Sequence, residues 1–123
     1  MEYERDQLTE RIIGICFKIH TELGPGFPEK VYSNSLLHSL KKEQIKFESE
    51  KDFTVRFENV KVGSFKCDFL IEDRLILEIK SVVGIMPVVF RNQLIAYLKA
   101  SGIKTGLLIN FGNKSCDIKR LSV

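Results

Sequence analysis

With 123 residues, 44% of them hydrophobic and 28% charged, the chain has the composition of one soluble globular domain. That length buries about two thirds of the surface the unfolded form exposes and leaves no room for a second core. A formal net charge of +3 permits a polyanionic partner but falls far short of the basic excess that by itself marks a nucleic-acid binder. Internal repeats and low-complexity tracts are absent. No run approaches the roughly 20 apolar residues needed to span a bilayer, and the acidic N-terminus lacks a signal-peptide core, so no membrane role is expected and a cytoplasmic location is. Cys16, Cys67 and Cys116 are odd in number and have no CxxC spacing, which argues against a disulfide framework or a zinc site. They read as core or half-buried thiols.

In chain order the pattern predicts two helices, a run of strands, a helix and a final strand pair. The first helix covers 6–23, with Leu8, Ile12, Ile15, Cys16, Ile19 and Leu23 on one stripe and Asp6 or Thr9 available as cap. Gly24-Pro25-Gly26 ends it. Pro28 suits the first turn of a second helix carrying Val31, Leu36, Leu37 and Leu40 and fading at Lys41-Lys42-Glu43. A strand follows over 47–57, interrupted near Glu50-Lys51, and Glu58-Asn59 leads into a turn whose end is marked by Gly63. Beyond the hairpin described next, 82–87 reads as a loop and 88–101 as a helix stopped by Gly102; 105–111 and 117–122 read as strands around Gly112-Asn113.

The chemistry concentrates in one predicted hairpin. Phe65, Cys67, Phe69 and Ile71 alternate with polar residues, as do Leu75, Leu77 and Ile79, and Glu72-Asp73-Arg74 forms the turn. If Ile71 faces Leu75, the antiparallel register pairs Phe69 with Leu77, Cys67 with Ile79 and Asp68 with Glu78. Asp68, Glu78 and Lys80 then share a face, because side chains alternate along a strand and cross-strand partners lie about 5 Å apart. Two carboxylates that close repel unless something positive sits between them. A hard divalent cation such as Mg²⁺ is the simplest candidate. An E-x-K pair is also common on solvated sheet faces, so the hairpin alone leaves a plain charged surface open.

Two helical constellations add to it. Gly26, Glu29 and Tyr32 follow the spacing G-x-x-E-x-x-Y, which sets Glu29 and Tyr32 on neighbouring positions of the second helix. Gln93 and Tyr97, four apart, share a face of the later helix. Each tyrosine also fits a half-buried core position, and Glu29 also fits a helix N-terminal dipole.

Together, Asp68, Glu78-Ile79-Lys80 and Gln93-x-x-x-Tyr97 resemble the PD-(D/E)xK nuclease superfamily, in particular its RecB-like exonuclease branch. Gly24-Pro25-Gly26-Phe27-Pro28-Glu29-Lys30-Val31-Tyr32, with Leu107-Leu108-Ile109-Asn110-Phe111, resembles the small bacterial and archaeal group called GxxExxY proteins. The resemblance runs from about residue 8 to residue 120. Cys67 stands where the superfamily name has its proline, and Val88-Val89-Phe90-Arg91-Asn92 before Gln93 is unusually apolar.

The resemblance implies a single α/β domain over 1–123 with a restriction-endonuclease-like core, a mixed central sheet flanked by helices. It implies that Asp68, Glu78, the Ile79 carbonyl and Glu29 hold Mg²⁺ or Mn²⁺, that His20 adds a ligand, and that Lys80 stands beside the attacking water. Gln93 and Tyr97 would support the site. The implied activity is metal-dependent hydrolysis of phosphodiester bonds in nucleic acid, DNA before RNA; the alternative is a non-catalytic nuclease-fold module acting with a partner protein. A homodimer or a partner is left open, as are end versus internal cleavage, sequence preference and one metal versus two.

Overall fold

The computed structural model describes residues 6–123, and residues 1–5, the acidic start of the chain, lie outside it. Its elements are α1 (Gln7–Leu23), α2 (Glu29–Lys42), β1 (Phe47–Phe57), β2 (Val60–Ile71), β3 (Leu75–Lys80), α3 (Val88–Ser101), β4 (Thr105–Asn110) and β5 (Asp117–Ser122). The strands form one mixed sheet in the order β1-β2-β3-β4-β5. All neighbours are antiparallel except β3 and β4, which run parallel because α3 carries the chain back between them. This is the restriction-endonuclease-like α/β arrangement that the residues lead one to expect.

Both faces of the sheet are buried, so its central strands read as nearly continuous apolar runs. On one face Ile12, Cys16 and Ile19 of α1 and Tyr32, Leu36 and Leu40 of α2 cover Phe69, Ile71, Leu75, Leu77, Ile79, Leu107 and Ile109. On the other, Leu94 and Leu98 of α3 cover Leu70, Ile76, Leu108 and Leu121. Asp6 caps α1, its carboxylate accepting from the Leu8 and Thr9 amides, and Gly102 ends α3 in the left-handed conformation at φ 80°. No helix among the described residues is long and apolar enough to cross a membrane.

Four local expectations need correction. Pro28 is the cap before α2 rather than a residue of its first turn. The β1–β2 turn is tighter than expected: Glu58 and Asn59 themselves take left-handed φ of 51° and 65°, and Gly63 lies inside β2 opposite Val55. Two consecutive left-handed residues match the right-handed twist of flanking strands, so the hairpin closes without further loop. Strand β4 stops at Asn110, whose side chain turns to the loop after β3. Cys67 packs with Leu70 and Ile76 under α3, not with Phe69 and Ile71, because the strand's alternation is interrupted at Asp68.

The turn between the first two helices explains the spacing of Gly26, Glu29 and Tyr32. The fully buried Tyr32 ring stacks on Phe111 at 4.6 Å, and its hydroxyl donates to the Gly24 carbonyl at 2.6 Å while accepting from the Phe27 amide at 3.3 Å. Gly24 and Gly26 take φ of 72° and 112°, which side chains with a Cβ avoid. The turn is thereby locked, and with it the direction in which Glu29 leaves the start of α2. Tyr32→Phe removes both hydrogen bonds and is expected to cost about 1–2 kcal/mol in chemical denaturation. Gly112→Ala is expected to be worse, about 3 kcal/mol or more, since a Cβ there would overlap the Val82 backbone.

Candidate active site

The β2–β3 ladder pairs Ile71 with Leu75, Leu70 with Ile76 and Phe69 with Leu77, as the alternation of apolar residues implies, and then stops. The expected next pairs, Asp68 with Glu78 and Cys67 with Ile79, do not form as backbone partners. Instead the Asp68 amide donates to Glu78 Oε2 at 2.9 Å, and the Ile79 amide donates to Asp68 Oδ2 at 2.7 Å. The strands fork, and each carboxylate takes the place of the main-chain acceptor its partner strand would have offered. On the opposite side of β2 the β1 pairing also skips Asp68, where Glu50 takes a left-handed φ of 52°. Interruptions of this kind re-aim a side chain at a sheet's functional edge. Asp68 is therefore released from regular pairing on both sides while its carboxylate stays locked across the fork.

The fork is electrostatically loaded. Glu78 is only 5% exposed. Burial pushes its carboxyl up to about 8, and the neighbouring Asp68 charge adds to this, against the opposing Asp68 amide and Lys80 and with a further push from Glu29. Asp68 is also raised, by burial first, with the Ile79 amide and Lys80 pulling it back and Glu50 pushing it up. Glu29, at the start of α2, is raised by loss of water, held down by Lys80 and pushed up by Asp68. All four charged groups thus act on one another. The Lys80 ammonium lies 4.3 Å from the centre of the Phe90 ring, a cation–π seat supplied by α3.

The supporting helix divides its two residues. Tyr97 is half-buried and stacked on Phe65 at 4.0 Å, and burial, followed by the Glu78, Asp68 and Cys67 charges, raises its phenol. Gln93 is exposed and has no hydrogen bond to the fork. His20 is engaged elsewhere: its Nε2 lies 2.8 Å from the Asn113 carbonyl, which can only accept, so that nitrogen carries the proton and is not free to bind a cation. Its ring stacks on Phe111.

A cavity of about 130 Å³ opens beside Asp68, lined also by Ser33, Asn34, Ser49 and Glu50. A larger groove of about 600 Å³ between α1 and α2 contains none of the charged residues of the fork. Among the described residues no three His, Cys, Asp or Glu side chains approach closely enough to form a metal cage. The donors on offer are two carboxylates with one oxygen each committed to a backbone amide. That is the oxygen-rich, incomplete set suited to an ion that keeps waters and accepts ligands from a phosphate.

Three residues named in the sequence, one of them at the expected strand break near Glu50-Lys51, carried no expectation of a place at the site. Phe90, Glu50 and Asn110 become relevant only through neighbours distant in sequence, although Asn110 carried a signal. A lone amide inside the apolar run Leu107-Leu108-Ile109 must find partners when buried, and at 1% exposed it does.

The five-stranded mixed sheet with its flanking helices is a restriction-endonuclease-like α/β core. The sequence profile of the PD-(D/E)XK nuclease superfamily matches residues 6–121, and the chain belongs to that superfamily. The crystal structure of SSO0001 is similar in fold, with a TM-score of 0.51 at 16% identity over 98% of this chain and 79% of that one. No curated protein gives a significant match.

The raised Glu78 carboxyl has a direct consequence for stability. Its folded value of about 8 exceeds the ordinary 4.5, so the folded state holds the proton more tightly and loses stability as pH rises through that window. The unfolding free energy from chemical denaturation in chelator is expected to fall between pH 5 and 8 by an amount of order 2–4 kcal/mol. Glu78→Gln should flatten that slope and melt higher than wild type at pH 8.

Proposed function

We propose that the protein is a Mg²⁺- or Mn²⁺-dependent nuclease that hydrolyses phosphodiester bonds, with DNA as the favoured substrate, and that within its superfamily it falls in the GxxExxY group of the RecB-like branch. The observation that carries this reading is the fork itself. Two buried carboxylates of like charge are held face to face by each other's backbone amides, at a cost to the folded state that a cation would remove. Asp68 and Glu78 would hold the ion, with the Ile79 carbonyl and Glu29 completing the protein's share. When bound, such an ion supplies Lewis acidity toward the scissile phosphate and acidifies an attacking water.

The remaining roles belong to side chains. Lys80, seated over Phe90, presents positive charge to the phosphate as charge builds up on its oxygens. Glu29, with its carboxyl raised, orients the attacking water and accepts a hydrogen bond or proton from it. Tyr97 closes the site on the α3 side with its ring braced by Phe65, and Gln93, exposed one helical turn earlier, offers its amide to an adjoining phosphate. Hydrolysis forms a bond from the water oxygen to phosphorus and breaks the bond from phosphorus to the leaving sugar oxygen, which takes up a proton.

The test is cleavage of single- and double-stranded DNA and RNA with Mg²⁺, with Mn²⁺ and with chelator, alongside Mn²⁺ titration calorimetry. Wild type is expected to cleave only with metal. Asp68→Asn and Glu78→Gln should lose both Mn²⁺ binding and cleavage, whereas Lys80→Ala should bind Mn²⁺ at least as well and lose about 10²–10³-fold in rate, because its interaction develops in the transition state. Identical Mn²⁺ responses in wild type and both carboxylate variants, with no cleavage by any, would refute the reading in favour of a non-catalytic binding module.

A further inference from the structure

Two side-chain amides grip the segment that leaves the lysine strand. Asn110 Oδ1 accepts from the Val82 amide at 2.9 Å while its Nδ2 donates to the Val82 carbonyl at 3.0 Å. Asn113 repeats this on Gly84, accepting from its amide at 2.7 Å and donating to its carbonyl at 2.9 Å. Each asparagine reads both backbone groups of one residue, and the two gripped residues are two apart. The chain bends at residues 83–85, with Gly84 at φ 91°, and beside the two gripped residues Val83 and Ile85 are 90% and 96% exposed, the most exposed of the large hydrophobic residues described.

This is an unusual use of two aliphatic side chains, because a segment so firmly anchored could have carried polar residues at no structural cost. Its position restricts what could cover it. Val83 lies three residues past Lys80, so its backbone can stand no more than about 11 Å from that lysine. A strand whose scissile phosphate sat at Lys80 would bring within that span about three base steps, at a rise of 3.4 Å each. Arg91, in the first turn of α3, and Lys114, immediately after the gripping Asn113, are exposed, and their charge suits an anionic backbone.

We propose that Val83 and Ile85 form a rigidly mounted aliphatic wedge that inserts at a base step of duplex DNA next to the scissile phosphate, with Asn110 and Asn113 as its mounting. Aliphatic side chains inserted between base pairs unstack them and bend the duplex. The wedge deepens the nuclease reading and rests on it: it assigns the site a distorted duplex as substrate and gives the apolar sequence around Met86-Pro87 a task.

The experiment uses a short DNA duplex carrying 2-aminopurine at successive positions, with Ca²⁺ as the cation, and the full chain as wild type, as the double variant Val83→Ser with Ile85→Ser, and as Asn113→Ala. Wild type is expected to bind and to raise 2-aminopurine fluorescence several-fold at one or two adjacent positions. The double serine variant should keep the wild-type melting temperature and Mn²⁺ binding, lose the fluorescence rise and bind the duplex about tenfold more weakly. Asn113→Ala should still bind, with the rise reduced, since the side chains remain and only their mounting is loosened. A double variant that binds and unstacks as wild type does overturns the wedge and leaves the nuclease reading standing. So does a wild type whose dimerisation in sedimentation, or binding to anionic vesicles, is abolished by the serines while duplex unstacking is unaffected. A wild type that neither binds nor cleaves any nucleic acid with Ca²⁺, Mg²⁺ or Mn²⁺ overturns both.

Discussion

The structure turns on the point where the β2–β3 ladder gives way. Up to Phe69 and Leu77 the strands are joined by their own backbones; beyond it, carboxylates do the joining. Hydrogen bonds from amides to a charged acceptor are stronger than neutral ones, so the fork is not simply a frayed end. It is held open by two acids that repel each other and are each fastened to the other's strand. Ordinary sheet pairing would have directed these acceptors into the ladder and left the acids pointing away along their face. A rigid, solvent-poor pair of carboxylates is the result: burial first raises the pKa of both, with the Asp68 charge adding to the rise at Glu78 and Glu50 to that at Asp68.

Everything else positions groups around that fork. Tyr32, through Gly24 and Phe27, fixes the turn from which Glu29 emerges. Ser81 donates to the Phe27 carbonyl at 2.9 Å, which ties the end of β3 to the same turn. The Phe111 amide donates to the Lys80 carbonyl at 2.9 Å, and Phe111 in turn packs between Tyr32 and His20. One aromatic stack thus connects α1, α2 and β4 directly behind the lysine strand. His20 belongs to this scaffold, donating to the Asn113 carbonyl and so bracing the connection whose asparagines hold the exit from β3. On the opposite face Phe65 braces Tyr97, and Phe90 carries Lys80. The charged groups are few; the groups that aim them are many, most of them aromatic or amide, with Tyr32, Phe111 and Asn110 buried.

Where the sequence misled, one physical reason recurs. Strict alternation predicted that Cys67 would share a face with Phe69 and Ile71 and that pairing would run on through Asp68 and Glu78. Alternation holds only while a strand is regularly paired on both sides, and Asp68 is where pairing fails on both. The interruption expected near Glu50-Lys51 is present, but that it falls opposite Asp68 and is taken up by a left-handed Glu50 is invisible in composition, since glutamate carries no signature for that conformation as glycine does. The same limitation applied at Glu58 and Asn59, where a turn closed on residues less typical of it than Gly63.

The sequence by itself determined the order and kind of the elements, the hairpin register from Phe69 to Leu77, an α1 cap at Asp6 or Thr9 and the stop at Gly102, because periodicity, capping and alternation are local and leave their mark on neighbouring residues. Only the tertiary structure decided which oxygen of each carboxylate is bound to which amide, that Lys80 rests on Phe90, that Tyr97 stacks on Phe65 while Gln93 stays exposed, and that His20 Nε2 pairs with the Asn113 carbonyl. Those outcomes depend on contacts between residues tens of positions apart, whose geometry is set by how β3, α3 and β4 pack, and no local pattern encodes the distance between them.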